Sequence, residues 1–297
     1  MKPLIFPSED WGHLARSLCR FLPAERGKLE ARSFPDGETY LRIRSACGNR
    51  HAVIAADLSQ PDPKILKLIF LAETLRAQGA SPIGLVAPYL PYMRQDKSFH
   101  QGEAVTSKSF ANLLSGRFDW LVTVDPHLHR YRSLSEVYTI PTRVVPAAPA
   151  IAGWIRRRVR KPFLIGPDQE SEQWVSKIAE GAKAPFVILH KERRGDRKVT
   201  VSASGLNVWQ NHRPVLVDDI ISTGNTMMET IRRLKRAGFK APICIGVHGI
   251  FSGSAYEDLL NAGAGEVVTT NTIPHSTNKI DLGRVLADAA RPLLKQF

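Results

Sequence analysis

Nine short apolar runs, most of them rich in Val, Ile and Leu, punctuate the chain at 51–56, 83–87, 120–124, 143–145, 162–165, 186–189, 215–217, 243–247 and 266–270. Helical patterns separate most of them, at 63–78, 107–115, 171–179, 227–237 and 256–262. A run without polar alternation fits a strand buried on both faces, and strands alternating with helices fit parallel sheets covered by those helices. The expected class is α/β, each domain a mainly parallel sheet flanked by helices. At 297 residues the chain is long enough for two domains, each with its own core. Pro146-Ala147-Ala148-Pro149-Ala150 reads as a linker. It divides the chain into 1–145 and 146–282, with a C-terminal helix, 283–297, free to pack back on the first domain. Two strands ending in Val-Asp, LVTVDPH (121–127) and PVLVDDI (214–220), hint at duplication.

Parallel folds bind ligands at the carboxyl ends of their strands, and the polar clusters of this chain gather there. In VLVDDIISTGNTM (215–227) an apolar strand runs into Asp218 and Asp219, then into Ser222, Thr223, Gly224, Asn225 and Thr226, then into a helix. A helix start offers unpaired N–H groups and the positive end of the dipole, which together suit a phosphate. Gly224 lets the backbone approach a ligand closely. The Gly-Lys-Ser/Thr ending of the usual nucleotide P-loop is missing. Two acids beside an anion site pose a conflict, which disappears if they face sugar hydroxyls or Mg2+ on the same ligand. An ordinary strand–turn–helix would need neither the paired acids nor four small polar residues.

Charge narrows the partners. The formal net charge of +13 favours anions, either nucleic acid or phosphorylated metabolites. The densest basic run, residues 156–161, sits where a helix ends before Pro162, a position that suits solvated cations. There is no RNA-recognition signature, zinc finger or basic-aromatic stripe, so nucleic acid is not the expected partner. No apolar run is long enough to span a bilayer, so no membrane partner is expected. The N-terminus carries acids too early for a signal peptide. Cys19, Cys47 and Cys244 are isolated and odd in number, which indicates neither a disulfide framework nor a CxxC metal site, and the expected compartment is the cytoplasm.

Four further stretches are too polar to be simple connectors. Asp125-Pro126-His127 and Asp168 each follow an apolar strand and suit a divalent cation or a phosphate oxygen, although a lone histidine there is more often structural. Residues 191–198 form a basic loop, which by itself fits a solvated hairpin equally well. Arg94-Gln95-Asp96-Lys97 follows a Pro- and Tyr-rich turn.

Taken together, these residues resemble the ribose-phosphate pyrophosphokinases, or phosphoribosyl pyrophosphate synthetases, over nearly the whole chain. Phe34-Pro35-Asp36-Gly37-Glu38 is similar to the F-x-D-G-E loop of the family, and PYMRQDKSFHQGEAVTSK (91–108) to its Y-x-R-Q-D segment with the G-E stretch beyond. VTVDPH (122–127), Lys191-x-Arg193, VDDIISTGNT (217–226) and GAGEVVTTNTIPH (263–275) fall at further family stations in the same order. The Asp-Asp-x-x-x-Thr-Gly motif alone is shared by all type I phosphoribosyltransferases. The resemblance implies two type I phosphoribosyltransferase-like domains with an active site between them. It implies transfer of diphosphate from Mg-ATP to O1 of ribose 5-phosphate, giving phosphoribosyl pyrophosphate and AMP. Carried over, Phe34, Asp36, Gly37, Glu38, Arg94 and Gln95 would bind ATP, the residues from 34 to 38 serving a neighbouring subunit. His127 and Asp168 would hold Mg2+. Arg193 with Asp218, Asp219, Ser222, Thr223, Gly224, Asn225 and Thr226 would bind ribose 5-phosphate, and Lys191 would stabilise the transition state. Self-association, at least as a dimer and up to a hexamer, follows from the shared adenine loop.

The sequence departs from the family in Asp168-Gln169-Glu170-Ser171-Glu172, which is bulkier and more acidic than the usual small, Gly-containing diphosphate loop. Asn225 stands where Gly or Ala is common, and asparagine tolerates left-handed backbone. The altered 168–172 stretch keeps a non-catalytic, synthetase-associated regulatory protein as an alternative. A phosphoribosyltransferase is another, although it would have little use for the stretches assigned to ATP.

Overall fold

A computed structural model describes residues 1–8, 12–98, 100–128, 130–189, 192–194, 198–200 and 207–296. The chain forms two compact units, one of residues 1–145 with 282–297, the other of residues 146–281.

The first unit runs β1 (Leu4–Pro7), α1 (Gly12–Phe21), β2 (Glu25–Arg26), β3 (Leu29–Ser33), β4 (Thr39–Ile43), β5 (Ala52–Ala55), α2 (Asp62–Ala77), β6 (Ile83–Val86), α3 (Thr106–Ser115), β7 (Trp120–Val124) and β8 (Thr142–Val145). Six strands form one parallel sheet in the order β2-β1-β5-β6-β7-β8, while β3 and β4 make a separate antiparallel hairpin. Every residue of β5, β6 and β7 is buried, as strands covered on both faces require. Each fully buried Leu or Ile there contributes roughly 1.5–3 kcal/mol. Gly84 makes room for the fully buried Trp120 of the next strand: a Cβ at Gly84 would lie 2.0 Å from the indole. Helix α2 starts with Pro63 in its first turn, where no N–H is needed, and stops at Gly79 in the left-handed region, with φ +82°.

The second unit runs α4 (Ala148–Arg158), β9 (Pro162–Gly166), α5 (Glu172–Ala182), β10 (Phe186–Ile188), β11 (Glu192–Arg194), β12 (Lys198–Thr200), β13 (Arg213–Ile221), α6 (Asn225–Arg236), β14 (Ile243–Gly249), α7 (Ala255–Ala262), β15 (Glu266–Thr270) and β16 (Asn278–Ile280). Its parallel sheet has the order β10-β9-β13-β14-β15-β16, and β11 pairs with β12 as an antiparallel hairpin. Helix α8 (Gly283–Gln296) then belongs to the first unit. There it packs on α1, and the Arg291 guanidinium donates to the Phe21 carbonyl at 2.9 Å.

Numbered within each unit, both sheets have the strand order 2-1-3-4-5-6. The fold is thus two α/β units with parallel sheets, and the duplication is one of topology. It does not align the two Val-Asp strands singled out in the sequence. The topological counterpart of β13 is β5, whereas VTVDPH lies on β7, two strands further along. The expected linker is also shorter than it looked, because Ala148 to Ala150 are already the first turn of α4, where Pro149 is tolerated. Strand β13 outlasts the 215–217 run because β14 continues to Gly249 and supplies hydrogen-bonding partners past the acids.

Candidate functional site

In a sheet of this order the direction of winding reverses between the first and third strands, and the loops leaving their carboxyl ends open a crevice. In the second unit those strands are β9 and β13, and the loops carry Asp168 and residues 218–226. Asp218 and Asp219 lie on β13 itself, and the loop proper is Ser222-Thr223-Gly224. Gly224 takes the left-handed conformation, φ +71°, and its carbonyl accepts the first bond of α6, from Met228 N–H at 2.8 Å. Asn225 is the first helical residue, so the left-handed conformation considered for it falls on Gly224 instead. Residues 220–227 with Asp218 enclose a recess of about 170 Å3 at the start of this twelve-residue helix. Size alone does not pick out this spot. An open groove of about 680 Å3, lined by Arg232, Lys235 and Arg236, lies along the C-terminal half of α6, away from the loop.

The acids set the electrostatics. Burial, the neighbouring Asp219 and then Asp168 together push the Asp218 carboxyl well above the usual carboxylate range. Asp219 N–H donates to Asp218 Oδ1 at 3.0 Å, and Ile220 N–H to Asp219 Oδ1 at 2.7 Å. Asp168 is half-buried and caps the short turn that follows, accepting from Ser171 N–H at 3.1 Å. Three carboxylates within one field form a site whose charge a divalent cation would relieve. Among the described residues no cluster of three or more His, Cys, Asp or Glu side chains is shaped to hold a metal closely.

The loop has a brace that sequence reasoning missed. Ile250 and Phe251 N–H both donate to the Ile221 carbonyl at 3.0 Å, and Ser252 N–H donates to the Ser222 carbonyl at 3.1 Å. The Ser222 and Ser252 hydroxyls meet at 3.1 Å. Phe251 holds a positive φ of 47° and packs against His275, with ring centroids 4.5 Å apart, and against Tyr256 at 5.7 Å. His275 is itself fixed by Thr277 and Asn278. The one signal in the sequence was the TTNTIPH stretch, whose polar residues form this scaffold.

In the first unit, the stretches assigned to ATP leave adjacent strands. Arg94 and Gln95 follow β6, and His127 lies three residues beyond β7. Arg94 is exposed; Gln95 accepts from the Thr106 hydroxyl at 3.1 Å. The two loops are tied together by Arg130 donating to the buried Asp96 at 2.8 Å and by the Tyr131 hydroxyl donating to the Asp96 carbonyl at 3.1 Å. Residues 34–38 form the tip of the β3–β4 hairpin. Phe34 N–H donates to the Glu38 carbonyl at 2.7 Å, Gly37 sits at φ +93°, and Glu38 N–H donates to Asp36 Oδ1 at 3.1 Å. This compact turn leaves Phe34, Asp36 and Glu38 exposed. The Arg32 guanidinium lies over the Phe34 and Tyr40 rings at 4.7 and 4.3 Å.

Of the proposed catalytic pair, Lys191 lies outside the described residues. Arg193 is placed on β11 opposite Val199, and its side chain is likewise outside the description. No described helix is long and apolar enough to cross a membrane.

Comparison with known proteins agrees with this layout. Residues 4–116 match the family model for the N-terminal domain of ribose phosphate pyrophosphokinase, and residues 137–282 match the phosphoribosyl transferase domain. A ribose-phosphate pyrophosphokinase of Sulfurisphaera tokodaii is 33% identical over 269 residues, covering 90% of this chain and 91% of that one. That of Sulfolobus acidocaldarius is 33% identical over 282 residues, covering 93% and 95%. The crystal structure of a phosphoribosylpyrophosphate synthetase from Mycobacterium smegmatis superposes over 100% of both chains with a TM-score of 0.86 at 22% identity, a likeness of fold. The family model and the relatives show it: the chain belongs to the ribose-phosphate pyrophosphokinase family.

Proposed function

We propose that the protein transfers the terminal diphosphate of Mg-ATP to O1 of ribose 5-phosphate. The observation that carries this reading is the β13–α6 loop, where a helix start suited to an anion and a carboxylate cluster share one crevice, in a chain a third identical to named ribose-phosphate pyrophosphokinases over nine-tenths of its length. The hydroxyls and N–H groups of residues 222–226 suit the 5-phosphate. Asp218 and Asp219 suit the ribose hydroxyls. Arg94 and Gln95, with Phe34, Asp36, Gly37 and Glu38 of a second copy, would position ATP, which makes the working unit at least a dimer. His127 of the first unit and Asp168 of the second would each serve Mg2+, and Asp168 shares its field with Asp218 and Asp219. When bound, Mg2+ neutralises charge on the phosphoryl oxygens.

In the reaction, O1 attacks the β-phosphorus, the bond from that phosphorus to the oxygen bridging it to the α-phosphate breaks, AMP leaves and the O1 proton is released. Such a transfer depends on positioning and charge neutralisation, which Lys191 and Arg193 would complete. Steady-state kinetics on two variants provide the test. His127→Ala is expected to raise KM for Mg-ATP with little change in KM for ribose 5-phosphate, and Thr226→Ala to do the reverse. Equal loss of both substrates in both folded variants would contradict the assignment.

A further inference from the structure

Between Leu90 and Asp96 only Arg94 is exposed, and its neighbours are fastened. Leu90 and Met93 are buried in the core, Gln95 holds the Thr106 hydroxyl, and Asp96 is buried against Arg130 and Tyr131. Among the described residues Arg94 itself has no hydrogen-bond or ion-pair partner. Its guanidinium therefore points wherever the backbone beneath it directs.

That backbone has an unusual feature two residues earlier. Tyr92 adopts φ +62°, the left-handed region, which a bulky residue occupies only when its surroundings over-determine it. Two contacts do so. The ring packs on Phe110 of α3, with centroids 4.8 Å apart. The hydroxyl donates to the carboxylate of Asp62, in the first turn of α2 and 30 residues away in sequence. Phenylalanine would serve the ring contact equally well, so it is the hydroxyl that calls for tyrosine.

The acceptor is fixed in its turn. A carboxylate in the first turn of a helix is favoured by the dipole. Lys64, the cation nearest to it in sequence, is taken by Asp57, to which its Nζ donates at 2.5 Å. Among the described residues Asp62 has no ion pair, and its partner is the phenol. Burial, then the bond to Asp62 and its charge, push the Tyr92 phenol up to about 12, so it remains a donor at neutral pH.

We infer that Asp62 and Tyr92 form a positioning pair, whose hydrogen bond holds the left-handed turn that aims the Arg94 guanidinium at the nucleotide. The inference rests on the proposed ATP role of Arg94 and adds two residues that act through it. Without the bond the turn relaxes, Arg94 samples more directions, and ordering it again weakens binding.

Calorimetry of Mg-ATP binding to the folded full-length protein tests this, with KM for each substrate from steady-state kinetics. Tyr92→Phe keeps the ring and Asp62→Ala keeps the phenol, and each removes the same bond from one end. Both are expected to weaken Mg-ATP about three- to tenfold, the usual effect of one lost hydrogen bond, with KM for ribose 5-phosphate unchanged. Asp62→Asn, which keeps an acceptor oxygen, should lose less than Asp62→Ala. On an Arg94→Ala background Tyr92→Phe should add nothing, because it acts through the guanidinium. Additive losses in that double variant, equal losses for both substrates, or undiminished affinity in Tyr92→Phe and Asp62→Ala would each overturn the inference. With Mg-ATP still weakened by Arg94→Ala, the transfer reading would survive that result. Unchanged affinity in Arg94→Ala would overturn both, by removing Arg94 from the nucleotide site. If Tyr92→Phe fails to fold, Asp62→Ala, at an exposed helix start, decides by the same measurements.

Discussion

Under the proposed reading, Asp218 would serve a ligand at a cost to the folded chain. Its carboxyl is buried beside Asp219 and within the field of Asp168, so ionising it costs more in the folded chain than in the unfolded one. A carboxyl with a raised folded pKa favours the folded state while protonated, and that contribution is lost as pH rises from 3.8 through the folded value. Asp218→Asn removes the penalty. The expected outcome is a higher unfolding midpoint at neutral pH, by roughly 2–4 °C per kcal/mol regained, with the gain vanishing as pH falls towards 3.8. Saturating Mg2+ should narrow the difference, and activity should fall. A variant less stable than the unaltered protein at pH 7 would show that the carboxylate is satisfied by contacts other than a bound cation.

Among the elements, the loop at 222–226 is built to hold its shape. The loop is held from behind by residues 250–252, and the Phe251 ring is clamped by His275 and Tyr256. Phe251→Ala should free the backbone from its positive φ and loosen the loop. KM for ribose 5-phosphate then rises severalfold while KM for ATP holds, and unchanged kinetics would reduce the cluster to packing. Lys191, beside β11, is expected to act on the transition state. Lys191→Ala should lower kcat by on the order of 100–1,000-fold with KM nearly unchanged. A loss within about a factor of two would make it an ordinary surface residue.

The same elements show what a sequence discloses. The Ser-Thr-Gly loop was legible because a strand, paired acids and a helix start are all local signals. The brace was not, because Phe251 and His275 are 24 residues apart and meet only through the sheet. The β3–β4 hairpin escaped for a related reason: Glu30, Arg32 and Arg42 alternate with its apolar residues, and only cross-strand pairing reveals that Leu29, Ala31 and Leu41 share one side.

At the scale of the whole molecule, two units of one topology have diverged at the same crevice. In the second unit the reversal between β9 and β13 gathers three acids and an open helix start. In the first, between β1 and β5, the acid is paired and the helix start is closed by prolines. The duplication was hard to read because the two strands share little beyond an Asp, Asp57 two residues past β5 and Asp218 within β13. The division of labour predicts that the phosphate loop of the second unit serves the sugar, while the loops after β6 and β7 serve the nucleotide. The most direct measurement is phosphorus NMR of the purified protein with ribose 5-phosphate and Mg-ATP. The account predicts AMP and phosphoribosyl pyrophosphate in equal amounts, dependent on both substrates and on Mg2+. Formation of ADP in place of AMP, or no sugar-dependent consumption of ATP by the folded protein, would contradict it.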